Sequence, residues 1–429
     1  MSSLPLAGVT VLALEQAVAV PFGTRQLADL GARVIKIERP VVGDFARGYD
    51  TTVQGLASHF VWLNRSKESL TLDLKRPEAQ LVLSRLLDRA DVFVQNLAPG
   101  ATDRLGLGTQ ELRSRYPRMI VCNLSGYGST GPFSTRKAYD LLVQSEVGLV
   151  SITGTPETPS KVGLSIADIA GGMYTYSGIL TALLQRERTG QGTALEVSLF
   201  ESLGEWMGYA MYYTMGGTAP ARTGASHATI APYGPYRLRD GQEVIFGIQN
   251  NREWNTFSTL VLDRPDLAED GRFQSNYLRV QHREEMDEEI DQTFMALPPA
   301  DVLGRLERAQ IANARLNTVQ QFIDHPQLAG RDGWRQVASA VGPIPALVPP
   351  VRMEGVEPRM DAIPAVGQHR ESILAEIGFD TPTIERWKQE THALAIMPPG
   401  QYDALVKQRV PMRVIARDNR RVIVEKPQS

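Results

Sequence analysis

The sequence has few of the features that mark secreted, membrane-spanning or nucleic-acid-binding proteins. Its 429 residues include one cysteine, Cys122, so no disulfide can form within the chain and nothing indicates an oxidising compartment. No apolar run approaches the roughly 20 residues needed to cross a bilayer. The apolar stretch from Leu6 to Val20 contains Glu15 and lacks the basic start of a signal peptide. The net charge of -3, from 45 basic and 48 acidic residues, gives no reason to expect nucleic acid or a membrane as a partner. This composition is typical of a cytoplasmic enzyme.

The first half of the chain alternates strand and helix patterns. Short apolar runs predict strands at Val9–Leu14, Arg33–Ile37, Asp91–Gln95, Met119–Leu124 and Ala194–Ser198. Apolar residues at helical spacing predict helices at Thr24–Leu30, Arg76–Arg89 and Asp168–Gln185. Strands separated by helices are typical of a parallel sheet with crossover helices on its faces. Residues 1–200 are therefore predicted to form a large α/β domain.

The pattern changes near residue 225. Tyr236–Leu238 and Glu243–Ile248 flank Asp240-Gly241, a strong hairpin signal, and helical patterns follow near 253–262 and 284–297. We therefore expect a linker at 201–225 and a smaller α+β domain at 226–325. Residues 326–393, Pro-rich between 343 and 364, would return to the large domain as an extended connection. The C-terminal extension 394–429 contains a second hairpin pattern around Asp418-Asn419, and we assign it no role.

The most informative segment is Gly163–Met173, which places Asp168 at the start of a predicted helix, followed by Gly171 and Gly172. A helix start offers unpaired N–H groups and a partial positive potential, so the Asp168 carboxylate is expected to be ionised and well positioned. The two glycines allow another backbone or a ligand to approach closely. Asp168 is therefore either a helix cap or a catalytic carboxylate.

Further short motifs stand in a definite order along the chain. They are Gly8–Leu12 running into Ala19–Pro21, then Leu30–Arg39, Gly43-Asp44, Asn64–Lys67, Val94–Asn96 with Pro99-Gly100, Asp103–Gly106, Lys137–Asp140, the Asp168 segment and Arg188–Gly192. In this order they resemble the family III CoA-transferases, the group that contains formyl-CoA transferase, carnitine CoA-transferase and the related 2-methylacyl-CoA racemases. The resemblance runs from Gly8 to about Phe379, and the ordered set is specific although no single motif is decisive.

The resemblance implies both an architecture and a mechanism. The large domain would be a Rossmann-like sheet, and two subunits would interlock like rings of a chain, a topology that is rare without a family precedent. Asp168 would be the nucleophile, carrying first the acyl group as an anhydride and then CoA as a thioester, which splits one hard exchange into easier steps. Tyr139 and Asp140 stand where the transferases place an active-site Tyr and Glu, and Asp140 is shorter than Glu by one methylene.

The resemblance also implies where CoA binds. The 5′-diphosphate and 3′-phosphate of CoA need Lys and Arg on loops at the strand ends. The residues implied for backbone contacts, phosphates, adenosine and the pantetheine arm are Val18, Ala19, Arg39, Leu72, Lys75, Asn96, Arg104 and Lys137. The alternative for any one Lys or Arg is a solvated surface charge. CoA and acyl-CoA are expected as substrates, and no permanently bound cofactor or metal is expected.

The acceptor acid is less well defined. Where formyl-CoA transferase has a run of glycines over its site, this chain has Gly224–Tyr233, which is more similar to succinyl-CoA:dicarboxylate transferases. The second carboxylate of a short dicarboxylic acid must be met by donors once it is buried. His227, Thr229 and Tyr233, with nearby Arg222, are the candidate donors. The alternative for His227 is a loop histidine with only a local backbone bond. Malate, mesaconate, itaconate, citramalate, glutarate and benzylsuccinate all remain open as acceptors.

Three other functions compete with CoA transfer. A 2-methylacyl-CoA racemase needs an acid and a base on opposite faces of the α-carbon, and those racemases have a His-Asp pair in place of Tyr139-Asp140. An unperturbed tyrosine, with a pKa near ~10, suits that reaction poorly. A non-catalytic CoA-binding protein would keep the basic residues but would not need Asp168. Gly126–Gly131 reads G-x-G-x-x-G, but Pro132 extends the loop and no helix begins there, so a dinucleotide site is disfavoured.

Overall fold

The computed structural model describes residues 4–384, 394–407, 412–418 and 422–425. Within them the strands are β1 (Thr10–Leu14), β2 (Arg33–Glu38), β3 (Lys67–Thr71), β4 (Val92–Gln95), β5 (Ile120–Ser125), β6 (Ala194–Ser198), β7 (Tyr233–Arg237), β8 (Glu243–Gly247), β9 (Asn313–Arg315), β10 (Trp334–Val337), β11 (Ile344–Leu347), β12 (Leu394–Met397), β13 (Arg413–Arg417) and β14 (Val422–Glu425).

The helices of the same residues are α1 (Ala19–Asp29), α2 (Ser58–Leu63), α3 (Pro77–Leu87), α4 (Ala101–Arg104), α5 (Thr109–Arg115), α6 (Asp140–Glu146), α7 (Leu149–Ile152), α8 (Ile166–Thr189), α9 (Leu199–Trp206), α10 (Gly208–Met215), α11 (Asn251–Thr256), α12 (Asp266–Glu269), α13 (Asn276–Gln281), α14 (Arg283–Ala296), α15 (Pro299–Arg308), α16 (Val319–Ile323), α17 (Pro326–Gly330), α18 (Arg370–Glu376) and α19 (Pro399–Lys407). A 3-10 turn spans Phe45–Gly48 and a π-helical turn spans Phe257–Val261. Of the helices described, none has the length and apolar character to cross a membrane.

The chain forms two compact units whose boundaries differ from the predicted ones. The first unit combines the residues up to Val143 with Ser165–Leu203 and the residues from Trp334 onward, and the second combines Gln144–Leu164 with Gly204–Gly333. Residues 144–164 were expected in the large domain and residues 201–225 in a linker. Residues 144–164 and 204–225 instead belong to the second unit. They join the second unit because they bond to each other: the Gly224 N–H donates to the Gly154 carbonyl at 2.8 Å.

A six-stranded sheet organises the first unit, in the order β3-β2-β1-β4-β5-β6, with every neighbouring pair parallel. This confirms the predicted α/β class and its Rossmann-like architecture. The strand order reverses between β1 and β4, so a crevice opens at their carboxyl ends, which is where doubly wound sheets bind ligands.

The central strands β1, β4 and β5 are buried on both faces, which explains their nearly continuous apolar sequences. Helix α3 covers one face with an apolar stripe of Val82, Leu83, Leu86 and Leu87, each at most 4 % exposed. Burial of one such side chain contributes about 1.5–3 kcal/mol. The helix begins at Pro77, where the missing N–H costs no intrahelical bond.

Helices α1 and α8 pack closely against each other because glycines lie at their contact. A Cβ on Gly172 would come within 2.5 Å of the Ala19 carbonyl oxygen, and one on Gly23 within 2.7 Å of the Gly172 oxygen. This confirms the close approach expected from the paired glycines after Asp168. Helix α8 extends beyond the predicted range at both ends and stops at Gly190, which has φ 71.

The second unit contains the antiparallel sheet β7-β8-β9. Its hairpin β7–β8 turns through Asp240-Gly241, as predicted, and Gly241 has φ 83. An aromatic core fills the space between this sheet and the helices, and its largest members are Tyr236, Phe246, Trp254, Phe257, Phe273 and Phe294.

The C-terminal part of the first unit contains two smaller sheets. Strands β10 and β11 form an antiparallel hairpin, so part of the predicted extended connection is a strand. Helix α18 follows this connection. In the C-terminal extension β13 pairs antiparallel with β14, as predicted, and β12 pairs with the other edge of β14. Residues 419–421, between these two strands in the sequence, lie outside the described residues.

Candidate active site

The β1–α1 loop lies at the switch point of the large sheet and is held from two sides. The Asn96 side chain, directly after β4, accepts from the Gln16 N–H and donates to the Gln16 carbonyl, both at 2.9 Å. The Asp44 carboxylate accepts from the Ala17 N–H at 3.1 and 3.2 Å. Ala17 has φ 60, a left-handed conformation that is uncommon for a residue with a Cβ. These bonds therefore fix a strained loop at the start of α1.

Asp44 itself belongs to a buried ionic network that the motifs contained but did not reveal. Lys36 Nζ lies 2.8 Å from Asp44 Oδ2 and 3.2 Å from Glu15 Oε1, and Lys67 Nζ lies 2.7 Å from Glu15 Oε1, with all four side chains 0 % exposed. Burial acts to raise the pKa of Asp44, but the charge of Lys36 and the hydrogen bonds from Lys36, Ala46 and Ala17 together lower that pKa. Burial lowers the pKa of Lys67 to about 8. Loss of one partner would leave a buried charge at a cost of about 3–5 kcal/mol.

Asp168 is the third residue of α8, one turn before Gly172 on the same face of the helix. Since Gly172 packs on Ala19, the Asp168 side chain lies near the start of α1 and the β1–α1 loop. Ser165 is at the N-cap position but makes no side-chain cap bond. The capping carboxylate is Asp140, whose Oδ1 accepts from the N–H groups of Ala167 at 2.8 Å and Asp168 at 3.4 Å. Asp168 is therefore not the helix cap.

The expectation that the helix start keeps Asp168 ionised is wrong. Burial and, after it, the negative charge of Asp140 raise the pKa of Asp168 to about 7. The largest cause is burial, and the helix N–H groups that were expected to stabilise the Asp168 carboxylate donate instead to Asp140. A carboxyl group with this pKa exists in both protonation states near neutral pH, which suits a group that must react and be regenerated.

Tyr139 and a second tyrosine lie close to this carboxyl pair. Tyr139 is 69 % exposed at the start of α6. Tyr49, which sequence reasoning missed, has its pKa raised by burial and then by the charges of Asp44, Asp168 and Tyr139. The sequence feature that could have identified Tyr49 is its position shortly after the Gly43-Asp44 motif. Both tyrosines can donate a hydrogen bond to an oxygen near Asp168.

The loop from 126 to 139 connects the carboxyl end of β5 to Tyr139 and Asp140. Gly126, directly after β5, leaves no room for a side chain because Ala138 packs against it. The Gly126–Gly131 motif lies wholly in this loop, and the next helix begins only at Asp140. The Ser129 hydroxyl and N–H donate to Glu196 on β6, so the glycines serve a folded loop.

A cleft of about 740 Å³ lies in the first unit. It is lined by Leu74, Lys75, Arg76, Pro77, Gln80, Ala101, Arg104 and Leu105. It brings together Lys75 and Arg104, which were implied for CoA, and adds Arg76, which sequence reasoning missed although it adjoins Lys75. Among the described residues that line this cleft there are three cations and no carboxylate, an arrangement that attracts a multiply charged anion.

The other residues implied for CoA lie along the same edge of the sheet. Arg39 follows β2, Leu72 follows β3, and Asn96 follows β4, while Val18 and Ala19 start α1. The Arg39 guanidinium donates to the Gly43 carbonyl at 3.1 Å. Leu72 packs partly buried on the sheet core, and Lys137 is exposed before Tyr139. Asn96 has its amide engaged by Gln16, so in the described residues it holds the loop.

We expect Arg104→Ala and Arg76→Ala each to weaken binding of free CoA by about 10-fold or more, because each removes charge-assisted hydrogen bonds of about 1.5–3 kcal/mol. Calorimetric titration measures this, and the KM of the acceptor acid should change little. Arg118→Ala is the matched control, since Arg118 donates to the Gly190 carbonyl away from the cleft. Unchanged CoA affinity in both cleft variants would exclude this cleft as the phosphate site.

In the second unit, the three residues predicted for the acceptor lie together. The rings of His227 and Tyr233 stack with centroids 5.5 Å apart, and the His227 N–H donates to the Tyr233 carbonyl at 2.8 Å. His227 Nδ1 accepts from the Thr229 N–H at 3.2 Å, which is the local bond of the alternative interpretation. Burial and then Arg283 lower the pKa of His227. The neutral ring therefore carries its proton on Nε2, where it can donate to a carboxylate.

Arg222, named as a nearby donor, is used structurally. Its guanidinium donates to the carbonyls of Ser151, Thr155 and Pro156 at 3.1, 2.9 and 2.7 Å. All three of its nitrogens are thus bound to the 144–164 segment. This structural role of Arg222 was not predicted, because the sequence did not show that this segment folds back onto it.

Comparison with known proteins gives the context of this site. The model of CoA-transferase family III matches residues 6–370. The succinyl-CoA:glutarate CoA-transferase of Mus musculus is 33% identical over 90% of this chain and 89% of its own length. The acetyl-CoA:oxalate CoA-transferase of Acetobacter aceti is 35% identical over 76% of this chain and 85% of its own. The crystal structure of a CAIB/BAIF family protein from Brucella suis, 32% identical, superposes with a TM-score of 0.76 and covers 88% of this chain and 100% of its own.

The C-terminal segment has a separate match. Residues 373–426 match the model of the aminoarabinose transferase C-terminal domain. This match covers a small part of the chain and includes residues outside the described ones, so we base no function on it.

Proposed function

Since the chain belongs to CoA-transferase family III and is therefore an enzyme that transfers CoA, we propose that it moves CoA from succinyl-CoA to a short dicarboxylic acid through a covalent intermediate on Asp168. The observation that carries the covalent step is the position of Asp168: a single partly buried carboxyl in the first turn of α8, beside Asp140 and the β1–α1 loop.

The chemistry starts with the ionised Asp168. Its oxygen attacks the thioester carbonyl, the C–S bond breaks, and CoA leaves as a thiolate, so an aspartyl-acyl anhydride forms. The thiolate then attacks the aspartyl carbonyl, releases the donor acid as a carboxylate and leaves an aspartyl-CoA thioester. The acceptor carboxylate repeats the two steps in reverse, and the thioester energy is conserved throughout. Tyr49 and Tyr139 are our candidates to donate to the oxyanions of these steps.

Asp140 serves this mechanism through α8. By capping the N–H groups of Ala167 and Asp168 it fixes the first helical turn, and its charge, after burial, raises the pKa of Asp168, so the ionised form is a stronger nucleophile. The shorter side chain of Asp, compared with the family's Glu, is long enough for this role.

CoA would lie along the carboxyl edge of the sheet. Its phosphates and adenosine would occupy the cleft of Lys75, Arg76 and Arg104, with Arg39 and Lys137 near its rim, and Leu72 would pack against the base. Its pantetheine arm would follow the backbone of Val18 and Ala19 toward Asp168. Two subunits would interlock, as the family resemblance implies.

For the acceptor we propose His227, Thr229 and Tyr233 as donors to the distal carboxylate of a dicarboxylic acid. The relatives named above act, by their names, on glutarate and oxalate, both dicarboxylic acids. The test is a panel of acceptors with succinyl-CoA as donor, combined with hydroxylamine trapping of the acyl-enzyme. Transfer to dicarboxylic acids with a trappable adduct on Asp168 is expected, and transfer without any adduct would contradict the covalent mechanism.

Racemisation of 2-methylacyl-CoA is the second candidate, because a carboxyl with a pKa of about 7 is suited to proton transfer. Exchange of the α-proton of a 2-methylacyl-CoA into deuterated water separates the two reactions. We expect slow exchange relative to CoA transfer, since Tyr139 replaces the racemase histidine.

A further inference from the structure

The loop that carries His227 and Thr229 is bonded along its length to two helices of the same unit. The carbonyl of His227 accepts from Arg283 at 2.7 Å, and that of Ile230 accepts from the same guanidinium at 3.2 Å. The carbonyl of Thr229 accepts from Asn276 at 2.8 Å. Asn276 also accepts from the Ala231 N–H at 3.1 Å. Four backbone groups of this loop are therefore bonded to side chains of the two helices.

A third side chain continues this contact. Arg279 donates through Nε to the Ala231 carbonyl at 2.8 Å. Asn276, Arg279 and Arg283 are spaced three and four residues apart across α13 and the start of α14, so they present one row of donors to the loop. We call Asn276, Arg279 and Arg283 the donor row.

Arg279 is the costly member of the donor row, which indicates a purpose other than stability. Arg279 is 0 % exposed, is bonded to carbonyls and to the Asn251 side-chain oxygen at 3.2 Å, and leaves Nη2 without a hydrogen bond. Among the described residues it has no carboxylate partner, and burial lowers its pKa to about 10. A buried cation without an anion is weak as a stabilising device compared with an apolar side chain of similar volume.

We propose that the donor row is a set of positioning residues, which sets the specificity for the acceptor acid by holding the 227–231 loop in one conformation. Arg283 is its main member, because it bonds to the carbonyl of His227. This inference rests on the proposed function, in which that loop meets the distal carboxylate. Arg283 fixes the carbonyl of His227, whose Nδ1 already accepts from Thr229, so the direction of Nε2 is set from both sides of the residue. A preformed donor loses little entropy when the acid binds.

The test compares Arg283→Met, Arg283→Lys and Asn276→Ala with wild type. For each, kcat/KM is measured with glutarate and with butyrate as acceptor, and CoA affinity is measured by calorimetry. We expect Arg283→Met to lower kcat/KM for glutarate by about 10²-fold, the scale of a 1 Å misplacement, mainly through KM. The value for butyrate should change less than about threefold and CoA affinity should not change. Arg283→Lys should recover part of the loss, because one cationic donor remains.

Arg305→Met is the matched control, since it removes a helix arginine that donates to one carbonyl, that of Val261 at 2.8 Å, elsewhere in the unit. Equal losses for both acceptors, or no loss in a folded variant, would overturn the inference. If Arg283→Met does not fold, Arg283→Lys and Asn276→Ala decide by the same selective loss. A wild-type enzyme without any preference for glutarate would instead overturn the proposed acceptor class.

Discussion

Asp168→Asn is expected to lower CoA transfer by at least about 10³-fold while the protein remains folded, as loss of a nucleophile does in other covalent enzymes. The amide has nearly the same shape as the carboxyl group, so the packing of α8 on α1 is retained. It cannot form the anhydride. Steady-state transfer from succinyl-CoA and trapping with hydroxylamine measure the loss.

Asp88→Asn is the control for a general effect of removing a carboxylate, because Asp88 lies beyond the end of α3 and accepts from the Tyr116 hydroxyl. Mass spectrometry excludes deamidation back to aspartate. Retention of more than a few per cent of activity in a verified Asp168→Asn sample would contradict the covalent mechanism, while leaving the family assignment unaffected.

The pKa of Asp168 makes the same group visible in pH profiles. Because burial and Asp140 raise this pKa to about 7, kcat/KM for the acyl-CoA should rise with pH through about 7, as the nucleophilic carboxylate forms. Asp140→Asn removes the neighbouring negative charge but keeps an oxygen that can cap α8, so the profile should shift to lower pH. A profile that does not move would show that Asp140 does not control the charge of Asp168.

Stability should show the opposite dependence. A carboxyl whose folded-state pKa is raised above the unfolded value of about 3.9 costs nothing below that pH and destabilises the fold increasingly as the pH rises to about 7. Asp168→Asn should therefore melt at a higher temperature than wild type at pH 8, and the difference should disappear near pH 4. Asp168 is therefore kept for its function and not for stability, since its ionisation destabilises the folded protein.

Most of the large sheet could be predicted from the sequence, because β1, β4 and β5 are buried on both faces and are therefore largely apolar. Strand β3, which contains Lys67 and Glu68, was not predicted. The helix of Asp168 and the hairpin at Asp240-Gly241 were also readable, since periodicity and turn chemistry are local. In each case the signal lies within one short segment. For these predicted elements, only the exact ends differed.

The parts that could not be predicted depend on residues distant in sequence. Asp140 caps a helix that begins 26 residues later, at Ile166, and its charge, after burial, raises the pKa of Asp168. The Arg222 guanidinium is hydrogen-bonded to carbonyls of a segment about 70 residues earlier in the sequence. The buried ionic network joins Lys36 on β2 and Lys67 on β3 to Glu15, which lies 21 and 52 residues earlier. Local patterns identify residue types for such roles but not their partners.

The second large effect that we expect is discrimination between acyl-CoA donors by the acceptor pocket. If His227, Thr229 and Tyr233 meet a distal carboxylate, then succinyl-CoA should be a good donor and butyryl-CoA, which has a methyl group at that end, a poor one. Buried donors are left unpaired by the methyl group, and sites built on hydrogen bonds can discriminate by up to ~10⁴-fold on this basis. The ratio of kcat/KM for the two thioesters measures the effect.

His227→Ala should narrow this ratio, by harming succinyl-CoA more than butyryl-CoA. The second unit provides a matched control in His325, whose Nδ1 accepts from the Gln327 N–H at 3.1 Å, the same local bond that His227 makes to Thr229. His325→Ala removes that type of bond without touching the proposed pocket, and the ratio should stay at the wild-type value. If His227→Ala and His325→Ala behave alike, His227 is only a loop histidine. If wild type uses the two thioesters equally, the dicarboxylate proposal fails, because the donors of the 227–233 loop then meet no second carboxylate.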